Sequence, residues 1–96
     1  MIITFLSEAT RYIYDGAETK QARRIPQTVW KAAQKKLDML NAAYSLNDLK
    51  IPPANHLEAL KGNLKGKYSI RINDQYRLVF EFRDSNSYEV EIVDYH

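Results

Sequence analysis

From Tyr68 to Ile92 apolar and polar side chains alternate, and this two-residue period commits the last third of the chain to extended structure. Tyr68, Ile70 and Ile72 fall on one face of a strand, with Ser69 and Arg71 on the other. Asn73-Asp74-Gln75 supplies turn chemistry, after which Tyr76, Leu78, Phe80 and Phe82 share a face and Arg77, Val79 and Glu81 oppose them. Asp84 to Ser87 forms a second turn, and Tyr88, Val90 and Ile92 alternate with Glu89 and Glu91. Three strands joined by short turns make an antiparallel meander with one apolar face, which the rest of the chain has to cover.

The cover is helical. Between residues 27 and 43 the apolar positions Val29, Trp30, Ala33, Leu37 and Leu40 recur at helical spacing, with Lys31, Gln34, Lys35 and Asp38 on the other side. Pro26 suits the start of that helix. A shorter helix carrying Tyr12 and Ile13 is expected between a Ser7 cap and a Gly16 stop, followed by a polar connection over residues 17–24. Ser45-Leu46-Asn47-Asp48 can cap one further turn, and Pro52-Pro53 ends any helix and extends the chain. The β-branched, apolar opening Met1 to Leu6 reads as a first strand. No linker or repeat interrupts residues 1–96, so the expectation is one α+β domain of order β-α-α-β-β-β, an antiparallel sheet packed against two helices.

Composition excludes several function classes. Hydrophobic residues make up 45% and charged residues 27%, which is globular rather than disordered. With no cysteine there is no disulfide and no thiolate metal site, and His56 and His96 lack metal-ligand spacing. No apolar run is long enough for a bilayer, and the opening MIITFLSEATR lacks the layout of a signal peptide, so a cytoplasmic location and no membrane partner are expected. Gly62 and Gly66 stand in the wrong context for a phosphate loop, and there is no serine-nucleophile motif.

A net charge of +2 says little about a polyanionic partner, but its distribution says more. Lys61, Lys65, Lys67, Arg71 and Arg77 face one acid, Asp74, between residues 61 and 77, whereas Glu81, Asp84, Glu89, Glu91 and Asp94 are opposed only by Arg83. Arg71 and Arg77 share the sheet face opposite the core, and Asp94-Tyr95-His96 adds a carboxylate, a phenol and an imidazole at the end of the last strand. RNA cleavage needs a base for the 2′-hydroxyl, positive charge on the pentacovalent phosphate and an acid for the departing oxygen, tasks suited to these side chains. Arginine holds two phosphate oxygens at once, and tyrosines, of which there are seven, stack on bases. Spacing is equally compatible with Arg77 in a surface pair with Glu81 or Glu91 and an exposed Tyr95-His96 tail.

The run LEALKGNLKGKYSIRINDQYRLVFEF, the terminal YEVEIVDYH, the upstream KKLDMLNAAYSLNDLKIPPANHLEALKG and the opening MIITF together resemble the HigB branch of the RelE/ParE toxin superfamily. The resemblance spans essentially the whole chain. It implies a RelE-like, microbial-RNase-like fold and a ribosome-dependent endoribonuclease that cuts mRNA in the A site by 2′-hydroxyl attack, with no metal or cofactor. It also implies a HigA-like helix-turn-helix antitoxin, with operator DNA bound only through the antitoxin complex. Carried over by position, the family's essential residues fall on Lys61, Arg77, Tyr95 and His96. Lys61 and Arg77 would stabilise the phosphorane, Tyr95 would orient or deprotonate the 2′-hydroxyl, and His96 would assist acid–base chemistry or stack. Lys65, Lys67, Arg71 and Asp94 would contact RNA or the ribosome. Some relatives keep a histidine three residues before the lysine of LKG; this chain has Glu58 there. A gyrase poison of ParE type on the same fold, or an inactive antitoxin-binding remnant, are the alternatives.

Overall fold

A computed structural model describes residues 1–95. Its elements run α1 (Glu8–Asp15), α2 (Gln27–Ala42), α3 (Leu46–Lys50), β1 (Glu58–Ala59), β2 (Lys67–Arg71), β3 (Tyr76–Arg83) and β4 (Asn86–Asp94), with short 3-10 turns at Ala22–Arg24, Pro53–Asn55 and Gly62–Leu64. The strands form one antiparallel sheet in the order β1-β2-β3-β4. This is the expected α+β arrangement with additions: α3 is the turn capped at Ser45, while β1 is a two-residue strand that no periodicity announces.

Local chemistry sets the helix ends. The Ser7 hydroxyl accepts from the Thr10 amide at 3.2 Å and starts α1. Gly16 ends it at φ 76, where its own amide returns to Ile13 O and that of Ala17 to Tyr12 O, the paired bonds of a left-handed helix stop. Helix α2 buries Val29, Ala33, Leu37 and Leu40. It is tied to α1 by Gln34 Nε2 donating to Ile13 O at 3.0 Å, and the indole of Trp30 donates to Ile25 O. The Asp48 carboxylate accepts the amides of Tyr44 and Ser45 and so starts α3.

The apolar sheet face meets these helices. Ile70, Leu78, Phe80, Val90 and Ile92 pack with Ile13, Leu37, Leu40 and Leu49 in one core. Cross-strand register places Ile70 opposite Leu78 and Tyr68 opposite Phe80, as the alternation requires.

In two places the structure departs from the alternation, and one cause serves both. Glu89 takes a left-handed backbone (φ 52), and pairing between β3 and β4 shifts register there. The extra residue turns Tyr88 away from the core, opposite Glu81, where the Arg83 guanidinium lies 3.7 Å from its ring centroid. Ser87 is delivered into the interior instead, and its hydroxyl has no partner among the described residues. The opening segment also fails to become a regular strand. It runs parallel to β4 and touches it through two isolated bridges, Ile2 with Ser87 and Phe5 with Val90. Between them the displaced Glu89 amide donates to the Thr4 side chain at 2.8 Å, so the ladder is interrupted. Beyond that segment the Ile92 amide is capped by Thr10 Oγ1 at 2.9 Å, which fastens β4 to α1. Among the described residues no helix is long and apolar enough to cross a membrane.

Candidate active site

The face opposite the helices is not the open cationic surface that the alternation suggests. Ser69, Arg77 and Val79 on that face are buried, Arg77 with only 9% of its surface exposed. Arg71 and Arg77 are direct cross-strand partners, so two like charges begin about 5 Å apart. Their side chains separate the charges. Arg71 turns to the Asn73 carbonyl and the Asp74 carboxylate in the hairpin. Arg77 lies back across β2: its Nε donates to Ser69 Oγ at 2.9 Å, and its Nη2 donates to His56 O at 2.5 Å and, more weakly, to Ser69 O at 3.4 Å.

The Arg77 counterion is Glu58, 3.9 Å away, in place of the surface pair with Glu81 or Glu91 that spacing allows. Strand β1 puts it there by pairing Glu58 with Ser69, the residue that holds Arg77 Nε. The carboxylate is 56% exposed although its partner is buried, so a solvent-borne substrate can reach it. From the other side the Tyr95 ring stands 5.5 Å from the guanidinium carbon. Tyr95 is placed by its amide, which donates to Gln75 O at 2.6 Å, and Gln75 Nε2 donates to the neighbouring Asp94 carboxylate at 3.1 Å.

The arrangement is an anchored cation with one edge bonded to none of the described residues. Nε and Nη2 are committed to the protein, while Nη1 donates to no described residue. An anion approaching that edge would meet a guanidinium fixed by three acceptors, with a carboxylate and a phenol ring beside it.

The other expected residues are distributed unevenly. Lys61 is exposed and begins the Gly62–Leu64 turn; it follows Glu58 by three residues, about 10 Å along an extended chain. Among the described residues no hydrogen bond or ion pair joins its ammonium to Arg77, Glu58 or Tyr95. Lys65 is exposed in the same turn. Lys67 lies against Glu89 at 3.7 Å on the half of the sheet face where acids gather. There the Glu81 carboxyl is held below its ordinary range by a hydrogen bond shared with Glu89 and then by Arg83. Asp94 is exposed at the end of β4. His96 lies outside the described residues. Among those described, no group of acids and histidines has metal-binding geometry.

Sequence reasoning missed Ser69, the His56 carbonyl and the side chain of Asn55, the residue before it. Asn55 is fully buried, donating from Nδ2 to Leu49 O and Met39 Sδ and accepting from Lys36 Nζ at 2.6 Å. The one available signal is the departure at Glu58, which marks where the cation's partner stands.

Comparison with known proteins agrees with the fold and the resemblance. Over its full length the chain superposes on the toxin of two YoeB–YefM complexes from Staphylococcus aureus, at TM-scores of 0.56 and 0.58 and 22% and 23% identity, covering 98% of each. Toxin HigB-1 of Vibrio cholerae is 43% identical over 84 residues, which is 88% of this chain and 86% of that protein. An uncharacterized Haemophilus influenzae protein is 45% identical over 62 residues, 65% of this chain and 61% of that one. The profile of the RelE-like HigB toxins matches residues 5–96, and with that span and that identity the chain belongs to the HigB-like family of RelE-like toxins of type II toxin–antitoxin systems.

Proposed function

We propose that this toxin is a ribosome-dependent endoribonuclease that cuts mRNA in the A site and thereby stops translation. The observation that carries the reading is the buried Arg77, clamped by Ser69 and His56, with Nη1 bonded to no described residue, beside an exposed Glu58 and the Tyr95 ring. In the reaction the 2′-oxygen of the substrate bonds to the adjacent phosphorus as the bond from phosphorus to the 5′-oxygen breaks. Arg77 stabilises the added negative charge on the phosphoryl oxygens. Glu58, standing where some relatives keep a histidine, takes the 2′-hydroxyl proton, and Tyr95 orients the nucleotide through its ring and hydroxyl. The departing 5′-oxygen collects a proton from the group that the resemblance assigns to His96. Lys61 closes over the phosphate from the edge of the sheet once the message is bound, and Lys65, Lys67, Arg71 and Asp94 contact RNA or the ribosome.

Membership of a toxin–antitoxin family supports an antitoxin partner, for which we propose the following form. A HigA-like helix-turn-helix antitoxin neutralises the toxin in the cytoplasm and carries it to operator DNA.

Primer extension on a translated message tests the reading. Cuts within codons are expected only when ribosomes are present, and Arg77→Lys, which keeps the charge but loses the forked anchoring, should lower cutting at least a hundredfold, a loss on the scale of one preorganised transition-state donor. Intact mRNA together with gyrase-dependent DNA breaks would replace the nuclease with a ParE-type poison.

A further inference from the structure

The turn between β2 and β3 carries a side chain to which the chemistry above gives no task. Strand β4 ends at Asp94, which pairs with Tyr76, and Tyr95 lies beyond it with 44% of its surface exposed. A residue in such a place is ordered only where something ties it down. The Tyr95 ring lies 5.5 Å from the Arg77 guanidinium carbon, a contact that is weak at a half-exposed site and does not offset the backbone freedom Tyr95 gives up.

Gln75 supplies the tie, and does so twice. Its carbonyl accepts the Tyr95 amide at 2.6 Å, and its side-chain Nε2 donates to the Asp94 carboxylate at 3.1 Å. Gln75 is itself held from within the hairpin. Asn73 Oδ1 accepts the amides of Gln75 at 2.9 Å and Tyr76 at 2.7 Å, and Arg71 Nε donates to the Asn73 carbonyl at 3.2 Å. A single bond to Tyr95 would leave the segment free to turn about it; bonds to two consecutive residues fix its direction as well as its place. Any residue at position 75 offers the carbonyl, so the side-chain bond to Asp94 is the part that depends on glutamine. We infer that Gln75 is a positioning residue for cleavage, which seats the Tyr95 ring beside Arg77 through its bond to Asp94. The effect on cleavage rests on the nuclease reading; the seating rests on the two hydrogen bonds.

Two measurements on the toxin test this. Gln75→Glu keeps the length of the side chain, removes the donor and sets a second carboxylate against that of Asp94. In amide hydrogen exchange followed by NMR, Tyr95 should lose about tenfold or more in protection. The Ile92 amide, bonded to Thr10 Oγ1, should keep its protection and so controls for folding. Combining Gln75→Glu with Asp94→Asn reverses donor and acceptor at unchanged net charge and should return protection to Tyr95, which a general loosening of the hairpin would not allow. In single-turnover cleavage of translated mRNA, Gln75→Glu should lower the maximal rate about tenfold or more, with the toxin concentration that gives half that rate little changed. Where Gln75→Glu also exposes Ile92, Gln75→Ala takes its place with the same expected outcomes, since it removes the donor without adding charge. A Tyr95 amide unprotected in the wild-type toxin, or equally protected in Gln75→Glu, overturns the seating. Cleavage lost while Tyr95 stays protected would mean that Gln75 meets the message directly, and also overturns it. Protection lost with cleavage intact overturns the part in the reaction. If the wild-type toxin cuts no translated mRNA while the exchange pattern holds, the nuclease reading falls and the seating stands.

Discussion

The Ser69 hydroxyl accepts from Arg77 Nε at 2.9 Å across the β2–β3 pair, and both residues are buried. A serine on the sheet face thus fixes the direction in which the cation points, and Glu58 opposite it on β1 supplies the counterion. Ser69→Ala should leave the Nε donor without a partner in a nearly dry setting. The expected loss is about 1–3 kcal/mol of stability. Cleavage should fall further than stability explains, since Arg77 is then no longer aimed. Thermal denaturation alongside single-turnover cleavage at saturating toxin separates the two effects; unchanged cleavage would show that Ser69 does not aim Arg77.

Asn55 joins the fold to the site. Its amide satisfies Leu49 O, Met39 Sδ and Lys36 at once, in full burial. Asn55→Ala should cost about 1–3 kcal/mol for each buried group left unpaired. It should also release the His56 carbonyl from Arg77, so that cleavage drops even in the fully folded fraction at low temperature. Normal cleavage in that fraction would confine Asn55 to packing.

The bulge at Glu89 sends Ser87 inward without a partner among the described residues. Ser87→Ala removes a buried hydroxyl and leaves the shape intact, so stability should hold or rise by about 1 kcal/mol. For a domain of this size that is about 4–8 °C in Tm. A clear fall in Tm would mean that the hydroxyl is satisfied in solution.

Glu81 gives a pH dependence of definite sign. Its folded value lies below the ordinary 4.5, through the Glu89 hydrogen bond first and Arg83 next. A lowered carboxyl stabilises the fold above its unfolded value, and the contribution disappears as pH falls through the folded value. Glu81→Gln should therefore leave stability near neutrality little changed in its slope with pH and make the loss below about pH 4.5 shallower. Denaturation midpoints across the acid range check this, and parallel curves for the two proteins would exclude Glu81 from the acid transition.

Much of this architecture is legible in the residues because the signals are local. Ser7 and Gly16 bound α1, the Val29 to Leu40 stripe faces the core, and the alternation of β2 and β3 holds register by register. What escapes is set by distant chain. Glu58 and Ala59 are too few to show a period, and become a strand only because β2 lies beside them. The inversion of Tyr88 and Ser87 depends on a left-handed Glu89, a conformation that favours glycine and that no side-chain pattern announces. Arg77 reads as a surface residue because its cover comes from residues 55–58, about twenty positions upstream. The resemblance assigned roles to Arg77 and Tyr95 but not to the serine and the carbonyl that hold the arginine.

The bridges from Met1–Leu6 to β4 have a consequence for biosynthesis. The first residues emerge early, yet their backbone partners, Ser87 and Val90, are made more than eighty residues later, and Val90 and Ile92 also complete the core. A nascent chain that has not released β4 has neither a closed interior nor a seated Tyr95. Closure of the core and seating of Tyr95 are thus late and simultaneous events, which await synthesis of the last strand.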